Sequence, residues 1–196
     1  MTNRDKSRDV QTRQPDASSA PAAPRFWVEE ALLPRQPVRL PERVQRHLQA
    51  LRLREGDAIT LFDGRGGEHA AVLERAGRNA TAQVLAHHAI ERESPLHITL
   101  AQGISAGDRM DFTLQKATEL GVSRIVPLRC ERSVVRLDAE RAARRHEHWR
   151  HILASACEQC GRNRLPELLE PVEVHAWLAG TGASPGSGAP AAQQLM

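Results

Sequence analysis

From Pro24 onward the period of the apolar positions changes repeatedly, and each change predicts an element. Arg25 to Glu29, RFWVE, alternates and reads as a strand, and Val38 and Leu40 mark a second. Pro41 stands where a helix can open, because the N–H it lacks has no partner there. Val44, Leu48 and Leu51 then recur at helical spacing, and Arg54 to Asp57 forms a turn. Ala58 to Phe62 is a strand, Asp63 to Gly67 (DGRGG) a tight hairpin, and Glu68 to Glu74 the returning strand. After a turn at Gly77 to Asn79, a long strand runs from Ala80 to Ile90. Short strands at close spacing around one helix predict a small β-barrel.

The pattern changes after the linker Glu91 to Pro95. His97 to Ile104, HITLAQGI, is a nearly continuous apolar run, as in a strand buried on both faces of a parallel sheet. Met110, Leu114, Ala117 and Gly121 follow at helical spacing, with Asp108 as a cap and Gly121 as the stop. Ile125 to Cys130 is a short buried strand, so the three together predict a right-handed βαβ unit. A longer helix is expected from a cap at Asp138 to about Gln159, presenting Ala142, Trp149, Leu153, Ala156 and Cys160 on one face. Leu165 to Val174 reads as a strand whose pairing Pro166 and Pro171 limit, and Val174 to Ala179 opens a third helix.

Residues 1–23 and 180–196 carry no apolar period and read as a disordered extension and a flexible tail. The 40% hydrophobic and 26% charged composition is that of a globular protein, and no run is long enough to span a bilayer. The three cysteines form no disulfide framework, which with the absence of an apolar leader predicts a cytoplasmic location. Net charge is +3, carried by arginine, since lysine occurs only at Lys6 and Lys116. Arginine suits phosphate and bases, so nucleic acid is a plausible partner. The 3% aromatic content argues against an aromatic base-stacking platform.

DGRGG lacks the following helix and Lys-Ser/Thr pair of a phosphate loop and reads as a turn. Cys157 and Cys160 form a CxxC within a helix with no second pair, so packing is favoured over a metal or redox site. Lys116 and Glu119, three apart, read first as a surface ion pair. Glu158, Gln159, Arg162 and Arg164 cluster at a helix end. Glu131, Arg132 and Arg136 follow the second strand of the βαβ unit, where parallel sheets bind ligands.

The strings RMDFTLQKATELGVSRIVPLRCERSVV (109–135) and WRHILASACEQCGRNRLPEL (149–168) are similar to those of the RsmE family. These bacterial enzymes methylate N3 of a uridine in 16S ribosomal RNA. PRFWVEE, HLQALRLREGD, LFDGRGGEH and ESPLHITLAQGIS extend the resemblance from about Pro24 to Trp177. It implies an α+β region followed by an α/β one: a PUA-like RNA-holding barrel at 24–90, then a SPOUT-type parallel domain at 95–179. That domain ties a trefoil knot that holds S-adenosylmethionine. The resemblance further implies a homodimer acting on the small ribosomal subunit. The family's GPEGG and LRTETA-like segments do not occur here. The SPOUT domain is therefore expected to be incomplete, truncated at its C-terminal side, with its cofactor-binding residues unassigned. Catalytic roles fall on Glu119, Arg132, Glu158 and Arg162, as proton acceptors or as holders of phosphate and uracil oxygens. RNA contact falls on Arg25, Arg43 and Arg52. The alternative is an inactive fragment that retains weak RNA binding through the barrel.

Overall fold

Two sheets carry the fold in the computed structural model, which describes residues 23–131 and 139–180. The expectations for the two ends of the protein, and those resting on Arg132, Arg136 and Asp138, lie outside the described residues. The first sheet holds β1 (Arg25–Trp27), β2 (Pro37–Arg39), β3 (Ala58–Phe62), β4 (Glu68–Arg75) and β5 (Thr81–His88). Its order is β1-β3-β4-β5-β2, with β1 parallel to β3 and the other neighbours antiparallel. Alternation along β4 buries His69, Ala71 and Leu73. The apolar members of that row meet Val44 and Leu48 of α1 (Glu42–Ala50), together with Phe26, Leu61 and Val84. The sheet curls about this core as a half-barrel whose edge strands among the described residues are β1 and β2, in the region where strand spacing predicts a small β-barrel. Leu51 leaves the predicted apolar stripe and is exposed. The helix ends at Ala50, Arg52 turns to φ 57°, and Leu53 packs on the core instead.

The second sheet is parallel. It contains β6 (Thr99–Gly103), β7 (Arg124–Arg129), β8 (Glu167–Leu168) and β9 (Val172–Glu173). α2 (Asp108–Glu119) links β6 to β7, α3 (Ala139–Cys160) follows β7, and α4 (Val174–Leu178) follows β9. Met110 and Leu114 of α2 pack with Trp149 and Leu153 of α3 and Ile125 of β7. The predicted βαβ unit is therefore present.

Three details differ from the expectation. Asp108 is the first helical residue and not the cap; that position is Gly107 at φ 53°. Asp108 and Asp111 instead place negative charge on the first turn, where the helix dipole favours it. β6 is only half-covered, whereas Ile125 to Leu128 of β7 are all buried. β7 lies between strands on both sides, and β6 is an edge strand among the described residues. The single strand expected over 165–174 is split in two. β8 pairs with Arg124 and Ile125, and β9 with Leu128 and Arg129. The gap lies opposite Pro127, which has no N–H to give to a neighbour.

Candidate functional site

The parallel unit has two distinct ends. α2 begins beyond the carboxyl end of β6 and runs back, so Glu119, its last residue, lies at the amino end of the strands. α3 runs back in the same way and delivers Glu158 and Arg162 to that end. Arg132 follows the carboxyl end of β7 and lies outside the described residues.

Glu119 forms the ion pair with Lys116 that their spacing predicts, at 2.8 Å. Glu158 is nearly buried and faces the half-barrel. Its Oε1 accepts the backbone N–H of Trp27 at 2.8 Å and a guanidinium N–H of Arg43 at 3.1 Å. Arg43 also donates to the Trp27 carbonyl and lies over the Trp27 ring, 4.7 Å from its centroid. Arg25 donates to Glu68 and, at 2.6 Å, to Oδ1 of Asn163, and lies 5.0 Å from the centre of the Phe62 ring. Two of the three arginines expected on RNA thus face α3 and the loop after it. Arg52 is exposed at the end of α1.

Arg162 is buried. It pairs with Glu93, 2.5 Å at the closest, and donates to the carbonyls of Thr118 at 2.8 Å and Val122 at 3.0 Å. Those carbonyls belong to the end of α2 and the turn after it; the Thr118 carbonyl also accepts the Gly121 N–H at 3.0 Å, and Arg162 adds a charge-assisted bond to it. Thr118 adjoins Glu119, and in this way the structure links two of the predicted residues. It shows no contact between Glu119 and Glu158 among the described residues.

The partners at this joint are not evident from local pattern, though one signal is present in the sequence. Glu91-Arg92-Glu93 in the linker meets Arg162-Asn163-Arg164 in antiparallel register: Glu93 pairs with Arg162, and Glu91 with Arg164 at 2.7 Å. Arg92 donates to Glu68 at 2.9 Å and to the Gly161 carbonyl at 3.2 Å, and Asn163 donates to the Ile90 carbonyl at 2.6 Å. The DGRGG turn completes the contact, because the N–H groups of Gly66 and Leu165 bond to the carbonyls of Asn163 and Gly64. Gly64 sits at φ 83°, and a Cβ there would come 2.9 Å from the Leu165 side chain. Burial pushes the Glu68 carboxyl up, but hydrogen bonds from Arg92 and Arg25 outweigh it and hold the group at about 2. Burial pushes the Cys157 thiol up to about 12, so it stays protonated and packs with Trp27, Phe62 and Ala154.

At the carboxyl end of β6, where open parallel sheets bind ligands, Ser105, Asp111, Arg145 and His148 line a cavity of about 150 Å³. His148 Nε2 lies 2.8 Å from Asp111. Sites for small molecules usually hold about 300 to 1,000 Å³, so this cavity by itself is too small for a ligand the size of S-adenosylmethionine.

Comparison with known proteins places this geometry. An RNA methyltransferase domain model matches residues 92–184, and an RNA methyltransferase PUA domain model matches residues 40–84. Ribosomal RNA small subunit methyltransferase E of Bacillus subtilis is 32% identical over 130 residues, 66% of this chain and 51% of that protein. Its counterpart in Buchnera aphidicola subsp. Schizaphis graminum is 30% identical over 156 residues, 79% of this chain and 63% of that one. The crystal structure of this methyltransferase from Neisseria gonorrhoeae, bound to S-adenosyl methionine, superposes with a TM-score of 0.76 at 50% identity. The match covers 80% of this chain and 65% of that one. The protein belongs to the ribosomal RNA small subunit methyltransferase E family. A putative methyltransferase of Legionella pneumophila, also in complex with its cofactor, matches with a TM-score of 0.77 at 38% identity. The sequence spans about half to two thirds of the length of these four relatives.

Proposed function

We propose that the protein serves S-adenosylmethionine-dependent methylation of a uridine at N3 in 16S ribosomal RNA. The observation that carries this reading is the 50% identity to the Neisseria gonorrhoeae enzyme, in a match that covers 80% of this chain and 65% of that one. In this reading residues 24–90 are a PUA-like RNA-holding barrel and residues 95–179 belong to a SPOUT-type domain with its trefoil knot. The protein acts as a homodimer in the cytoplasm, on the small ribosomal subunit. Arg132, past the carboxyl end of β7, holds a phosphate or a uracil oxygen of the substrate. Glu119, paired with Lys116 at the amino end of the strands and so at the opposite end of the sheet from Arg132, is assigned a positioning role in place of the expected role as acceptor of the N3 proton. Glu158 and Arg162 act through the joint as positioning residues, since their polar atoms are engaged by the half-barrel, the linker and the end of α2.

A second reading is an RNA-binding protein without methyl transfer, favoured by the small volume of the cavity beyond β6. Isothermal titration with S-adenosylmethionine separates the two. Saturable binding, followed by methyl incorporation into undermethylated small subunits, supports the enzyme. Absence of heat at millimolar cofactor supports the second reading.

A further inference from the structure

A cleft of about 720 Å³ lies on the half-barrel between α1 and the turn joining β4 to β5. Arg39, Arg46 and Arg78 line it, with the amides of Gln45, Gln49 and Asn79. Its acidic lining residues are Glu30 and Glu42. Register explains why the arginines meet. Thr81 of β5 stands opposite Arg39 of β2 on one side and Arg75 of β4 on the other. The turn carrying Arg78 therefore projects from the end of the sheet that bears Arg39 and Arg75.

The floor of the cleft is fixed by a series of hydrogen bonds. Gln45 Nε2 donates to the Leu40 carbonyl at 2.7 Å, and Gln45 Oε1 accepts the Asn79 N–H at 3.0 Å. Asn79 Oδ1 accepts from Arg39 at 2.8 Å. Asn79 is held at φ 62°, which fixes the turn against α1. Arg39, Arg46 and Arg78 make no ion pair among the described residues, whereas Arg25 and Arg43 are paired with Glu68 and Glu158. Guanidinium groups left without carboxylate partners beside a fixed row of amides match a run of phosphate and ribose oxygens.

We propose that this cleft binds the phosphodiester backbone of RNA, using Arg39, Arg46 and Arg78 in place of Arg25 and Arg43. It rests on the RNA methyltransferase reading and adds the place where the half-barrel grips the substrate.

The test measures binding of the full-length protein to a fluorescein-labelled RNA hairpin of mixed sequence by anisotropy, over a range of salt. R39Q/R46Q/R78Q is compared with R35Q/R54Q/R144Q, which removes equal charge from residues outside the cleft. The cleft variant is expected to bind about tenfold more weakly at physiological salt and to lose about two units of the log–log salt slope. The control is expected to keep most of both. Protection of Arg46 and Arg78 from phenylglyoxal by RNA, read by mass spectrometry on the unsubstituted protein, gives the same answer without relying on a variant's folding. Equal losses in both variants, no protection, or equal protection by heparin would overturn the inference. RNA binding that survives the cleft variant overturns it and leaves the methyltransferase reading standing. Failure of the unsubstituted protein to bind RNA also overturns it, while cofactor titration decides that reading separately.

Discussion

A guanidinium is tolerated in a protein interior only when its N–H groups find acceptors, and Arg162 meets that condition with one carboxylate and two carbonyls. Replacing it strands Glu93 and removes two hydrogen bonds to the end of α2 and the turn after it. R162A is expected to lower stability by about 3–5 kcal/mol in urea denaturation, and R162K to recover only part, because an ammonium lacks the planar fork that meets the carboxylate side-on while reaching both carbonyls. Glu68 makes a pH prediction. Its carboxyl is held at about 2 against an ordinary 4.5, so its stabilisation is complete above about pH 4.5 and is lost as pH falls toward 2. The contribution is about 2 kcal/mol after allowing for solvent screening. E68Q should lose that amount at neutral pH and flatten the acid limb of the stability curve.

The sequence is most legible at the scale of elements, wherever periodicity and a glycine stop agree. α2 ends before Gly121 and α3 before Gly161, both at positive φ, as their apolar spacing implies. Trp149, predicted on the inner face of α3, is buried against α2 and β7. W149A is expected to cost about 3–5 kcal/mol, read by thermal or urea melts. Elements become illegible where a partner strand or helix decides the outcome. Pro166 and Pro171 show that the third strand pairs poorly, but nothing near them shows that its break falls opposite Pro127 of another strand. The roles of Glu158, Arg25 and Arg43 are hidden for the same reason. A charged residue on a helix or strand looks alike in sequence whether it meets RNA or another part of the same fold. Only the complementary order of Glu91-Arg92-Glu93 and Arg162-Asn163-Arg164 is there to be read.

For the molecule as a whole, the joint ties the half-barrel to the parallel unit through buried groups as well as surface charge. Trp27, Phe62, Ala154 and Cys157 form an apolar cluster across it. The two units are therefore expected to unfold together in one calorimetric transition, with the calorimetric and van't Hoff enthalpies equal. E158A/R43A should weaken that coupling and separate two transitions. The same joint has a consequence for how the protein is made. Trp27 and Glu158 are 131 residues apart, so the half-barrel edge leaves the ribosome long before its cover exists. At about 5–20 residues per second, Trp27 and Phe62 wait on the order of ten seconds for α3. During that interval the newborn protein presents an aromatic, arginine-lined edge, and any holding factor that shields it during synthesis would be released by the arrival of Glu158.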